Sequence, residues 1–90
     1  MKFNDTCFSR EHGYSIGQET DSGQYYLSIP VSNGLVDYEE YYALSREQYQ
    51  QFQNDAVQAI AFADACRQRL QDTLLIMKPG PKRGEPISYG

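Results

Sequence analysis

Between Tyr25 and Leu44 the chain reads YYLSIPVSNGLVDYEEYYAL, and its apolar and polar side chains alternate on both sides of Asn33-Gly34. Alternation at period two marks a half-buried strand, and Asn-Gly tolerates the positive φ of a tight reversal, so the segment predicts a β-hairpin. With Val31 set opposite Val36, Ile29 falls opposite Tyr38, Leu27 opposite Glu40 and Tyr25 opposite Tyr42, and all but Glu40 suit a buried face. The other face then pairs Pro30 with Asp37, Ser28 with Glu39 and Tyr26 with Tyr41, and is expected to be wet. Pro30 has no N–H for the ladder. That favours a four-residue loop, Ser32 to Leu35, over a two-residue Asn-Gly turn, because the longer loop makes Pro30 and Asp37 a non-hydrogen-bonded pair. A slip of one residue would turn Asp37 and Glu39 into the core as unpaired carboxylates, so the pattern defends its register.

Upstream, HGYSIGQ (12–18) alternates Tyr14 and Ile16 with small or polar residues and predicts a strand that pairs with 24–31 across the turn composition of Glu19 to Gly23. The strand over 35–44 then comes third in an antiparallel meander. Residues 1–11 carry Phe3, Cys7 and Phe8 without periodicity and are expected to form an arm or short turn packing its aromatics on the core. Ser45-Arg46-Glu47-Gln48 fits the capping box, so a short helix starts at Ser45 and presents Tyr49 and Phe52. It is expected to break near Asn54, where Asn54 or Asp55 can cap a second helix over about 55–70. That helix carries the stripe Ala59, Phe62, Ala63, Cys66, Leu70, widened by Val57, Ile60 and Ala61, which should cover the apolar face of the hairpin.

Thr73 to Met77 is an apolar run too short for a comfortable helix and can form a last strand on a free sheet edge. The segment KPGPKRGEPISYG holds three of the four prolines and three of the seven glycines, which reads as loop. If ordered, it needs something to hold it, either the domain's own surface or a partner. The fold class predicted is α+β: a three- or four-stranded antiparallel sheet with two helices packed on one face. Residues 1–77 form its one domain, and 78–90 a Pro/Gly-rich tail.

Composition narrows the function classes. The 90 residues have a formal charge of −4, and residues 1–77 hold five basic side chains against eleven acidic ones. Such a surface argues against nucleic-acid or anionic-membrane binding, which needs concentrated Lys and Arg, and complements a basic protein partner. No window approaches the roughly 18 consecutive apolar residues of a membrane span, and MKFNDTCFSREHG lacks the apolar region of a signal peptide, so a cytoplasmic location is expected. In that compartment Cys7 and Cys66 are expected as reduced, partly buried thiols.

No catalytic set, cofactor loop or metal cluster is predicted. His12 has no adjacent nucleophile, Gly13, Gly17 and Gly23 make no phosphate loop, and one histidine with two distant cysteines has no metal-ligand spacing. Asp37 and Glu39 could in principle do acid and base work, but no pocket is evident to shift either pKa. The candidate site is a ridge of Asp37, Glu39 and Tyr41 with Tyr26, where carboxylates can pair with arginines and tyrosines add desolvated area. Glu40 joins it if a bulge rotates the strand. The competing reading is a solvated sheet face. Lys78, Lys82 and Arg83 form a lesser basic cluster, read as a solubilising tail or a nucleic-acid contact.

With YYLSIPVSN-x-x-VDYEEYY, a capped short helix, a second helix and a D-x-LLI run, residues 24–76 resemble small bacterial immunity proteins of contact-dependent growth inhibition systems. Those families share no universal motif, so no site residue transfers. The resemblance implies a cytoplasmic protein that binds the toxin domain of a large secreted effector, often a nuclease, and blocks it stoichiometrically. The alternatives are a nucleic-acid-mimicking inhibitor, a general interaction adaptor without a toxin, and a small enzyme using the carboxylate pair.

Overall fold

A computed structural model describes residues 1–87; the last three residues of the expected tail, 88–90, lie outside the described residues. Strands β1 (Phe3–Ser9), β2 (Tyr14–Glu19), β3 (Tyr25–Ser32) and β4 (Asp37–Leu44) run as an antiparallel meander in that spatial order. Helices α1 (Arg46–Asn54) and α2 (Ala56–Arg67), a 3-10 turn at Asp72–Leu74 and a short strand β5 (Glu85–Pro86) follow. The architecture is α+β, as predicted.

The hairpin separates its faces as the alternation requires, with a different register. Leu27 lies opposite Tyr42, Ile29 opposite Glu40 and Val31 opposite Tyr38, so the loop spans Asn33 to Val36 instead of Ser32 to Leu35. Asn33 explains the choice. Its side chain accepts from the Leu35 and Val36 amides at 3.0 Å each, while its own N–H donates to Val36 O at 3.2 Å. Val36 therefore leaves the buried face for solvent. A displacement by an even number of residues keeps every side chain on its face, which is why the two-faced pattern survives the change. Pro30 now faces Glu39, still a non-hydrogen-bonded pair.

Ile16, Leu27, Ile29, Val31 and Tyr42 are fully buried under the helices. Ser45 caps α1 through the reciprocal box with Gln48, at 3.1 and 2.9 Å. Asp55 ends α1 and caps α2, accepting from Val57 and Gln58. Ala59, Ala63 and Cys66 line the inner side of α2, and their small side chains let the helix approach the sheet. The predicted stripe was too wide. Val57 and Leu70 are exposed, the latter because α2 ends at Arg67 and Arg69 takes the left-handed conformation at φ 62°.

Three segments differ from expectation. Residues 3–9 form an edge strand, not an arm: β1 pairs with β2 from Phe3–Glu19 to Ser9–Tyr14, and an irregularity between Asp5 and Cys7 breaks the alternation that would have revealed it. Thr73 to Met77 makes no strand. Leu75 forms a single bridge to Tyr42, and the Ile76 amide donates to Tyr41 O at 2.9 Å.

The tail, finally, is tied to the domain's own surface. Arg83 grips the Glu40 carboxylate at 2.7 and 3.0 Å and the Asp72 carboxylate at 2.7 and 2.9 Å. The Gly84 amide donates to the Tyr38 hydroxyl at 2.6 Å, and β5 pairs with Val31 and Ser32 on the far edge of β3. Residues 77–87 thus form a strap that starts at the outer edge of β4, passes under the hairpin and ends beside β3. A side chain at Gly84 would come within 2.6 Å of the Ser32 backbone, so the crossing needs glycine there. No helix among the described residues is long and apolar enough to cross a membrane.

Candidate functional site

The face of the sheet turned away from the helices carries Phe3, Asp5 and Phe8 from β1, Ser15 and Gly17 from β2, Tyr26, Ser28 and Pro30 from β3, and Asp37, Glu39 and Tyr41 from β4. Strand alternation places most of them. The β1 irregularity places Phe8: three positions after Asp5 it would point to the helices in a regular strand, but the extra residue returns it to this face opposite Ser15. Thr6, next to Asp5 along the strand, turns to the helices and shares a 2.6 Å hydrogen bond with the Tyr49 hydroxyl.

Gly17 lets the face close over Tyr26. A Cβ there would stand 2.1 Å from Asn4 O and 2.7 Å from the Tyr26 hydroxyl. With that space free, the Tyr26 ring lies across Gly17 and its hydroxyl donates to Asp5 Oδ1. Phe3 and Tyr41 stack with centroids 3.7 Å apart, and both meet Tyr26 edge-on at 5.3 and 5.0 Å. Tyr26 ends with 0% of its surface exposed, so it underpins the candidate ridge from beneath and presents no surface to a partner. Burial, and then the hydrogen bond to Asp5, raises its hydroxyl pKa well above the ordinary value.

Around this aromatic floor sit the carboxylates. Glu39 is partly buried and accepts from Ser28 Oγ at 3.1 Å. Burial raises its pKa most, the Asp5 carboxylate raises it further, and the Ser28 bond opposes both. Tyr41 is raised by burial and then by Glu39 and Asp5. Asp37 is exposed beside the hairpin loop. A cavity of about 170 Å³ opens next to Glu39, walled by Phe8, Tyr14 and Pro30 over Ser15, with Arg10 among its lining residues. Phe8 is 63% exposed there, an aromatic surface with nothing packed over most of it.

Of the residues expected from the pattern, Asp37, Glu39 and Tyr41 do share one accessible face. Glu40 does not join them. No bulge rotates β4, and Glu40 stays on the helix side, 7% exposed, held by Arg83 and the Tyr42 hydroxyl. Arg83 accordingly leaves the basic cluster expected with Lys78 and Lys82. Asp5, Phe3 and Phe8 belong to the face but had no periodic signature. The available hints were Phe3-x-Asp5 at strand spacing and a glycine inside β2.

Chemically the face offers hydrogen-bond acceptors and aromatic planes, which suits recognition of cationic groups. Among the described residues no group of His, Cys, Asp and Glu could hold a metal ion. Burial pushes the Cys66 thiol up to about 12, which keeps it protonated. No protein family, curated protein or solved structure gives a match to this chain.

Proposed function

We propose that this chain is a cytoplasmic immunity protein that binds a nuclease toxin domain through the open sheet face and neutralises it stoichiometrically without catalysis. The supporting observation is Glu39. A carboxylate withdrawn from water beside a second one, Asp5, makes no ion pair among the described residues. Burial of that kind disfavours the folded protein at neutral pH unless a positive group arrives from outside. Perturbed groups of this sort concentrate at functional sites. A nuclease toxin exposes basic residues where phosphate would lie. Asp37, Glu39 and Asp5 complement those charges, while Tyr41 and Phe8 supply contact area.

Co-expression with the product of the neighbouring gene, followed by copurification, tests the reading. The wild-type chain should carry that product through purification at a fixed stoichiometry and suppress its toxicity. Asp37→Lys combined with Glu39→Lys should weaken capture by more than about tenfold, as expected for reversed interfacial charges. Unchanged capture by a folded double variant places the contact elsewhere. Competition by duplex DNA for the same partner groove would favour a nucleic-acid mimic instead.

A further inference from the structure

We infer that the outer edge of β4 is a strand-docking slot, and that it takes an extended segment of the partner whose alternate side chains are basic. This rests on the reading above that the open face receives a basic protein, and adds to it the main-chain geometry of the contact.

Backbone parity identifies the free groups. Asn33 N–H donates across the hairpin to Val36 O, so at period two Tyr38, Glu40 and Tyr42 turn their backbone N–H and C=O inward to β3. Asp37, Glu39 and Tyr41 turn theirs outward. The outward carbonyl of Tyr41 is taken by the Ile76 amide at 2.9 Å. Pairing stops there. Continued in the register of the Leu75–Tyr42 bridge, Lys78 would oppose Glu39. The strap instead bows away, leaving a cavity of about 430 Å³ with Tyr38, Glu39, Glu40 and Tyr41 on one side and Met77 to Lys82 on the other. That volume lies in the range of ligand-binding clefts, roughly 300–1,000 Å³.

The bow is fixed at both ends, by Ile76 on Tyr41 and by Arg83 on Glu40 and Asp72. Among the described residues the Glu39 N–H and C=O have no backbone partner, and they face a walled cleft. At the opposite edge of the sheet the irregularity between Asp5 and Cys7 interrupts β1.

An added strand satisfies the Glu39 groups directly, the usual source of affinity in strand addition. Its side chains then alternate. Those on the open side fall next to Glu39 and Asp37, where Lys or Arg is favoured. Those on the other side meet Tyr38 and a strap that carries Lys78 and Lys82, where a further cation is disfavoured. The occupant is therefore an extended segment with one basic and one uncharged side.

The probe is a short blocked peptide alternating Lys with Val, added to the full chain, with backbone amide exchange at Glu39 and side-chain shifts at Tyr41 followed by NMR. Binding should slow exchange at Glu39 by about tenfold or more, as for an amide that enters a ladder. It should also be lost when alternate amides are N-methylated along the edge facing β4, and kept when the opposite edge is methylated. Indifference to both methylation patterns, or no added protection at Glu39, overturns the slot. Shifts at Tyr41 without protection at Glu39 leave the acidic face as a binding site and refute the strand. Equal protection by a Glu–Val peptide keeps the strand and refutes the preference for basic side chains. If the free protein already shows protection at Glu39 that disappears on dilution, a second copy occupies the edge and the assignment to a partner fails.

Discussion

Arg83 and Glu40, 43 residues apart in the chain, meet in a two-pronged ion pair, Nε to Oε2 at 2.7 Å and Nη2 to Oε1 at 3.0 Å. The pair accounts for two oddities at once: a glutamate on the apolar face of β4, and a Pro/Gly-rich tail that stays on the domain. Asp72 completes the clamp, and Arg83 holds its carboxyl below the ordinary value. Arg83 is itself raised above its usual pKa, by its hydrogen bonds to Asp72 and then Glu40.

Removing the guanidinium strands Glu40 in a largely dry site with the Tyr42 hydroxyl as its remaining donor. Arg83→Met should cost about 3 kcal/mol in urea unfolding, the low end for breaking a buried pair because Asp72 is partly open to water. Trypsin should then cut after Lys82 in the native protein, since Pro79 blocks cleavage after Lys78. Adding Glu40→Gln to that variant should recover part of the loss by discharging the stranded carboxylate. A loss below about 1 kcal/mol would mean that the clamp contributes no more than a surface ion pair.

Gly17→Ala should push β1 away from β2. The new methyl meets the Asn4 carbonyl, a backbone atom that can move only with its strand, as well as the Tyr26 hydroxyl. Overpacking of this kind costs about 1–3 kcal/mol. Thermal unfolding should report the loss, and amide exchange should rise across Phe3–Ser9 before it rises in the β3–β4 ladder. Uniform exchange behaviour in the two pairs would contradict the local account.

Glu39→Gln should stabilise the free protein at neutral pH. The folded-state pKa of Glu39 is raised, so its ionisation opposes folding above that value, while below the unfolded value of 4.5 the group is protonated in both states. The advantage of the glutamine variant should accordingly be full above the folded pKa and fade as pH falls to 4.5. Denaturant midpoints measured for both proteins between neutral and acidic pH check the sign. The same variant should bind the partner less well, exchanging function for stability.

Thiol labelling separates the cysteines. Cys7 is exposed on the edge strand, whereas Cys66 is buried with its thiol pushed up to about 12. Both thiols are free, but the expectation of partial burial fails at each, since Cys7 is exposed and Cys66 fully buried. One equivalent of a thiol reagent should react with the native chain and a second only after unfolding. Rapid labelling of both would require α2 to open.

The features legible from residue order have determinants within a few positions of one another. Alternation assigns Asp37, Glu39 and Tyr41 to one hairpin face and Leu27, Ile29 and Tyr42 to the other. Ser45 with Gln48, and Asp55 with the amides after it, place both helix starts. Long-range pairing is not encoded in that way. Two registers of the β3–β4 pair keep the faces intact, and the choice fell to the Asn33 side chain inside the loop. Whether Tyr26 is wet or sealed depends on Gly17 and Phe3, which reach it only across neighbouring strands. The exclusion of Glu40 from the open face, and the strap that walls the β4 edge, both follow from an arginine whose partners are close only after folding. Periodicity records which side of an element faces apolar surroundings, whereas the three-dimensional packing alone selects which distant residue supplies them.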